Sequence, residues 1–349
     1  MKELRAAVIG LGMSGRYIHC DYFASAPGLF KLVAVADPAE DRRNKAMAEF
    51  GCRAYASHME MIEREKPDLV VNAAPSHLHV PISLELLRCG CNVICEKPVA
   101  ASENEADALI GAAQNAGKVF TVFQDLRYTP HFRQVKKVID SGVLGRIVHI
   151  SLYLNTYTRK WDWRTLRSNN GGNLMNIGTH LIDQAIQFLG TECRPNVMCR
   201  LDPANTFGDA DNYLKLLLLT EGRPAIDIEV SSCCAYPAFR YNVHGTFGGL
   251  TGRYNRLKWK FISPEEAPEH ALVREPLSNS LGEPSYCRED LVWHEHTWSD
   301  GRDPYQVAAR EYYKAFHRAF TQGLPFEVTH EQIRQQMAII GACFRQNPL

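Results

Sequence analysis

Near its start the chain runs a mostly apolar stretch, Leu4 to Ile9, straight into three glycines spaced Gly10-Leu11-Gly12-Met13-Ser14-Gly15. An apolar run without regular polar alternation is what a parallel strand buried on both faces needs, and a glycine turn that opens a helix is its usual continuation. A helical stretch follows to about Ser25. The alternation then repeats: a strand at 32–36 ending at Asp37, a helix at 39–50 closed by Gly51, a strand at 69–73, a helix at 80–89 closed by Gly90, a strand at 92–95, a helix at 103–115 closed by Gly117, and a strand at 119–123. Such a βαβαβαβαβ order predicts an α/β unit over residues 1–123, an open, doubly wound parallel sheet with helices on both faces.

Beyond residue 123 the pattern changes. A helix is predicted at 130–140, ended at Gly142, then a strand at 146–155, a long polar and aromatic loop, and a helix at 173–189. Strands at 211–219, 224–234, 239–246 and 255–262 follow with no helix between them, the look of an antiparallel sheet. Residues 264–300 are proline-rich, charged and aperiodic and read as a surface excursion, and helices at 304–322 and 330–346 close the chain. The expectation for 124–349 is an α+β domain with a mainly antiparallel open sheet, for substrate binding and oligomerisation, whose last helices are free to pack back on the first domain. A sheet with one face on its own helices leaves the other for a partner, so a homodimer or homotetramer is expected.

Composition removes several function classes. Lys plus Arg and Asp plus Glu both number 39 in 349 residues, so no global field draws in nucleic acid or an anionic membrane. No run of 18 apolar residues exists to span a bilayer, and no cleavable leader is legible at the start, which makes the cytoplasm the expected compartment. Eleven cysteines in irregular spacing describe no disulfide framework and no pair of Cys-x-x-Cys zinc units; Cys89, Cys91, Cys95, Cys233 and Cys234 are read as core thiols. His294-Glu295-His296 lacks a third ligand, so no metal is expected.

The glycine turn has a specific chemistry. Gly10 permits the tight turn, Gly12 lets the backbone approach a pyrophosphate, Gly15 lets helix and strand pack closely, and the helix start, with Met13 and Ser14, offers free N–H groups to phosphates. Asp37, 22 residues after Gly15 at the end of the second strand, is placed to accept hydrogen bonds from the adenosine ribose hydroxyls and to repel a 2′-phosphate. NAD is therefore expected ahead of NADP, with Arg42 and Arg43 the residues that would hold a 2′-phosphate.

Cys95-Glu96-Lys97-Pro98, one strand after a Pro75-Ser76-x-x-His79 turn, resembles the Gfo/Idh/MocA oxidoreductases, the family of glucose-fructose oxidoreductase and inositol dehydrogenase. The likeness extends through Arg127-Tyr128-x-Pro130, Gly142-x-Leu144-Gly145 and Gly171-Gly172-x-Leu174-x-x-x-Gly178-x-His180-x-x-Asp183. The resemblance implies a Rossmann first domain in which Pro75, His79 and Glu96 border the cofactor, Lys97 lies over the nicotinamide beside the substrate, and Asn176 and His180 form the opposite wall. It also implies a cis Lys97–Pro98 bond. Two departures stand out: Asn176 replaces the usual Asp, and Asp125 stands near a common Asn. An amide cannot hold a proton, so a shared Asp/His relay is not expected here.

Oxidation of a secondary alcohol needs a base for the hydroxyl proton and a group that stabilises the developing alkoxide. His180 and Lys97 are the candidates. Asn173, Asn176, His180 and Asp183 recur at intervals of three, four and three, so they share a helix stripe that must face solvent or a cleft, and a cleft is expected. Asp183 is expected to orient His180 or a domain contact. Tyr157, Trp161 and Trp163 lie just before the glycine pair and suit the C–H faces of a sugar ring, with Asp162 and Arg164 available to hydroxyls; an oligomer contact or a loop anchor is the equal alternative. Arg127 and Tyr128 are candidates for the same cleft, with a structural salt bridge the equal alternative for Arg127. The expected reaction is NAD-dependent oxidation of a secondary hydroxyl of a sugar, a glycoside (at C3) or a cyclitol. The alternatives are a redox-neutral enzyme that recycles tightly bound NAD, acting between sugars or as a glycosidase or lyase, and a non-catalytic sugar or nucleotide sensor.

Overall fold

The computed structural model describes residues 2–192 and 194–348. Its first half runs β1 (Leu4–Ile9), α1 (Asp21–Ser25, entered through a π-helical turn at Gly15–Cys20), β2 (Phe30–Ala36), α2 (Glu40–Phe50), β3 (Arg53–Tyr55), α3 (His58–Glu65), β4 (Leu69–Asn72), α4 (His79–Arg88), β5 (Val93–Cys95), α5 (Glu103–Ala116) and β6 (Phe120–Val122). These six strands form one sheet in the order β3-β2-β1-β4-β5-β6, and every pairing is parallel. The chain reverses direction across the sheet between β1 and β4, so the carboxyl ends of those two strands open a crevice. Leu4, Ala6, Ala7, Val8, Leu69, Val70, Val71, Val93 and Ile94 are fully buried there.

One strand and one helix more are present than the sequence pattern predicts. β3 has three residues, none of them buried, at the sheet edge, and α3 follows it at once. A strand that short carries no readable alternation.

The second half continues with α6 (Pro130–Asp140), β7 (Ile147–Asn155), α7 (Thr179–Leu189), β8 (Asn196–Asp202), β9 (Tyr213–Leu219), β10 (Ala225–Ser231), β11 (Tyr241–Gly245), β12 (Gly248–Arg253), β13 (Arg256–Phe261), β14 (His294–Ser299), α8 (Pro304–Gln322) and α9 (His330–Gln346). Its sheet has eight strands in the order β14-β13-β12-β11-β7-β10-β9-β8. All pairings are antiparallel except β7 with β10, which is parallel. Three of these strands escape the sequence reading. β8 is a half-exposed edge strand, β12 carries three glycines, and β14 emerges from the polar excursion. His294 and His296 of β14 stack on Phe261, and His294 bonds Glu266 across 2.5 Å.

The last helices pack on the first sheet. The Tyr312 hydroxyl donates to the Val122 carbonyl at 2.9 Å, His317 Nε2 contacts the Lys2 carbonyl at 2.8 Å, and Tyr313 stacks on Tyr22 at 4.7 Å. No helix among the described residues is long and apolar enough to cross a membrane. The ten described cysteines are free thiols, and Cys193 lies outside the described residues. Cys91 and Cys95 are core thiols as expected; Cys89 and Cys233, on surface turns after α4 and β10, are exposed instead, and Cys234 is half-buried.

Candidate active site

The glycine turn shapes one end of the crevice. Gly10 has φ +85° and an added Cβ would lie 2.5 Å from the Ala73 carbonyl oxygen; a Cβ on Gly15 would lie 1.7 Å from the Gly10 oxygen. Only glycine allows this approach of helix and strands. Gly12 differs, since a Cβ there would meet no protein atom within 4 Å: it borders open space in the cleft. That cleft has a volume of about 480 Å³ and runs from Gly10, Gly12, Met13, Ser14 and Asp37 past Pro75 and His79 to Glu96, Lys97, Trp163, Arg164 and Asn176. A turn with an open Gly12 beside a helix start fits a dinucleotide pyrophosphate, and Asp37 at its far side fits a ribose diol.

Asp37 is held firmly. Oδ2 accepts from the Leu11 N–H at 2.7 Å and Oδ1 from the Ala39 N–H at 2.8 Å, and Arg42 Nη1 approaches Oδ2 at 3.5 Å. Arg43 instead donates to the carbonyls of Asp37 and Pro38, both at 2.8 Å.

At the other end the Lys97–Pro98 peptide is cis. Lys97 Nζ donates to two oxygens of Asn176, the backbone carbonyl at 2.9 Å and Oδ1 at 3.0 Å. Asn176 lies in a π-helical turn, Leu174–Gly178, that leads into α7, a local widening that helices often carry where side chains meet ligands. Burial pulls the Lys97 ammonium below the ordinary lysine value, with the Glu96 and Asp125 carboxyls opposing it and Arg164 adding to it.

Glu96 faces the other way, its Oε2 accepting from the Lys97 N–H at 3.0 Å and its Oε1 from His19 Nε2 at 3.1 Å. Burial alone would raise its pKa; the His19 bond and the charges of His19, Lys97 and His79 prevail and hold it near about 2. His19 Nδ1 meets the Tyr313 hydroxyl at 2.6 Å, so a chain of contacts runs from α8 to the Lys97 backbone. His79 joins the two turns of the cleft wall: Nδ1 faces the Pro98 carbonyl at 2.7 Å and Nε2 the Ala74 carbonyl at 2.8 Å. Asp125 is driven by burial and the Glu96 charge up to about 8, with Lys97 and backbone N–H groups working against the rise.

His180 sits one turn beyond Asn176, 8% exposed, with no hydrogen-bond partner at Nδ1. Burial, then the Lys97 charge and, behind the opposing Glu96, that of Arg240, hold it well below the ordinary histidine pKa, so its imidazole is neutral and a weak base. Asp183 does not touch it. Asp183 binds Arg127 through two parallel contacts, Nε to Oδ2 at 3.0 Å and Nη2 to Oδ1. Arg127 Nη1 also donates to the Glu327 carbonyl at 2.7 Å. Burial works against the Arg127 charge, and the Asp183 carboxylate outweighs it. Arg127 and Tyr128, expected in the cleft, are therefore enclosed behind it at 5% and 1% exposure. The salt-bridge alternative for Arg127 describes its surroundings.

The aromatic loop divides. Trp163 lines the cleft, whereas Trp161 is 78% exposed against Phe207 and Tyr157 is 62% exposed. Arg164 holds both oxygens of Asp162 from Nε at 3.1 Å and borders the cleft beside Trp163. His19, Tyr313 and Lys160 have no signal in the sequence, because the folding that brings 19, 96 and 313 together leaves no local spacing to read.

Comparison with known proteins agrees along most of the chain. Residues 4–124 match the family model of an oxidoreductase family with an NAD-binding Rossmann fold, and residues 132–251 match the GFO/IDH/MocA C-terminal domain. D-glucoside 3-dehydrogenase of Escherichia coli is 29% identical over 191 residues, 54% of either chain. The NADP(+) scyllo-inositol 2-dehydrogenase IolW of Bacillus subtilis is 26% identical over 249 residues, 69% of this chain and 66% of that one. An NAD-binding protein of Listeria innocua superposes with a TM-score of 0.80 over 99% of this chain and 97% of its own, at 23% identity, a likeness of fold. With both family domains matched in order on the fold they require, the chain belongs to the Gfo/Idh/MocA family of NAD-binding oxidoreductases.

Proposed function

We propose that this protein oxidises a secondary hydroxyl of a sugar, a glycoside or a cyclitol with NAD, and that glycosides react at C3. The observation that carries the reading is Lys97 Nζ seated on Asn176 at one end of a cleft whose other end is the Gly10–Gly15 turn. The names of the relatives, a glucoside 3-dehydrogenase and an inositol 2-dehydrogenase, support the substrate class.

The glycine turn with Met13 and Ser14, Asp37, Pro75, His79 and Glu96 would hold the dinucleotide, whose nicotinamide would supply the hydride acceptor. The chain supplies the rest. Lys97 donates to the substrate oxygen and stabilises negative charge as it develops there. His180, one turn beyond Asn176 and neutral through burial, is the group to which we assign the hydroxyl proton. Asn176, whose Oδ1 is taken by Lys97, has its Nδ2 left for a neighbouring hydroxyl, and Trp163 offers an aromatic face. Asp37 favours NAD over NADP by crowding a 2′-phosphate with its own charge. The open face of the eight-stranded sheet is the surface on which we propose a homodimer or tetramer forms.

Absorbance at 340 nm, with NAD⁺ or NADP⁺ and a panel of inositols, free sugars and O- and C-glycosides, tests this. A sustained rise with NAD⁺ and one substrate group is the expected result. A signal that stops at one equivalent per subunit while product still forms would replace it with in-place cofactor recycling, and neither signal nor product would leave a sensor.

A further inference from the structure

Beyond Asn176 the cleft narrows into a recess with a volume of about 10 Å³, space on the order of one water-sized group. Its walls are polar. Most of those groups are already engaged: Asn173 Nδ2 donates to the Asn212 carbonyl at 2.6 Å and to Ser232 Oγ at 3.1 Å, and Asp211 Oδ2 accepts the Leu174 N–H at 2.8 Å. Lys160 is different. It lines the recess half-buried and has no hydrogen bond or ion pair with any described residue. Burial pulls its ammonium below the ordinary lysine value, and the charges of Arg164 and Lys97 add to this more than Asp162 and Asp211 relieve it.

The surrounding loop is basic in a chain of formal charge zero. Residues 157–170 hold Arg159, Lys160, Arg164 and Arg167 against the single acid Asp162. Two of the four are turned elsewhere, Arg159 over the Phe207 ring at 4.8 Å and Arg167 onto the Asp209 carbonyl at 3.0 Å. Lys160 and Arg164 remain at the junction of recess and cleft, Arg164 with its Nε and Nη2 already on Asp162 and Lys160 with no partner among the described residues. A cation that is partly desolvated and unpaired is stabilised by an anion that enters with the ligand.

We infer that the sugar taken by this site carries a carboxylate, as in a uronic acid or its glycoside, with one carboxylate oxygen in the recess on Lys160 and the other toward Arg164. Lys160 is then the residue that decides between acidic and neutral sugars. This rests on the sugar-oxidoreductase reading above and narrows its substrate. The recess has room for a single oxygen of the ligand, and glucose 6-phosphate in the test separates a carboxylate from a phosphate.

The test compares methyl β-D-glucuronide with methyl β-D-glucoside, and methyl β-D-galacturonide with methyl β-D-galactoside, on the full chain saturated with NAD⁺. NADH formation and calorimetric binding are both read, and glucose 6-phosphate is included as a second anion. A uronide is expected to bind at least about tenfold tighter than its neutral partner, and Lys160→Met to bring that ratio near one. Equal binding, an unchanged ratio in Lys160→Met, or tighter binding of glucose 6-phosphate overturns the carboxylate assignment. A tenfold loss of NAD⁺ affinity in Lys160→Met would make Lys160 a cofactor phosphate ligand and overturn it as well. With the inositols of the broader panel assayed alongside, oxidation confined to the neutral glycosides or to inositols overturns this inference and keeps the broader reading; no binding or oxidation of any sugar or inositol overturns both.

Discussion

At the residue scale, Lys97 and Asp125 show how burial assigns chemistry. Lys97 keeps two acceptors on Asn176 and faces the cleft, so its loss removes the donor proposed to meet the developing alkoxide without touching the glycine turn. Lys97→Ala is expected to lower turnover about a thousandfold, with NAD affinity, read by nucleotide fluorescence, within a few-fold; unchanged turnover would remove the assignment. Asp125 titrates near about 8 in the folded chain and near the ordinary 3.8 when unfolded. Between those values the folded state keeps a proton that the unfolded state has lost, so this group makes stability fall as pH rises from about 4 to about 8. Asp125→Asn, which needs no proton, is expected to be the more stable protein above pH 4, by on the order of a few kcal/mol at pH 8. Urea unfolding at pH 5 and pH 8 measures it, and a gap that does not widen with pH would contradict the buried-acid account.

At the scale of elements, the Arg127–Asp183 pair ties α7 to the turn after β6 and, through the Glu327 carbonyl, to the segment before α9. A buried ion pair is costly to break because the surviving charge has no solvent. Arg127→Met is expected to destabilise by about 3–5 kcal/mol, with Asp183→Leu added to it recovering much of the loss; denaturant midpoints of the two variants decide. A raised KM at unchanged stability would instead put Arg127 in contact with substrate. The π-helical turn before α7 belongs to this scale too, since it is the element that presents Asn176 to Lys97.

At the scale of the whole molecule, the last 50 residues hold the two sheets in one unit. Tyr313 is fully buried among Tyr22, Phe23, Phe30 and Phe123 and also touches His19, which bonds Glu96 beside Lys97. Tyr313→Ala is expected to cost about 3–5 kcal/mol and to lower the melting of the entire chain in a single calorimetric transition. Two separated transitions would show that the halves fold independently of α8.

The parallel sheet, the glycine turn, Asp37 and the helix boundaries at Gly51 and Gly117 are legible in the sequence because each depends on neighbours within a few residues: burial on both faces, a tight turn, a left-handed cap. The Glu96-Lys97-Pro98 triplet and the Asn176–His180 spacing are legible through family resemblance. β3 and β12 are not, one too short to alternate and the other too rich in glycine to look like a strand; their neighbours across the sheet define them. Nor can spacing tell that Arg127 turns inward to Asp183, that Trp161 turns out to solvent, or that Lys160 is left without a counter-ion. Local sequence encodes periodicity and turn geometry, whereas enclosure, pairing and the pKa shifts that follow arise from contacts between residues far apart in the chain, and these exist only once it has folded.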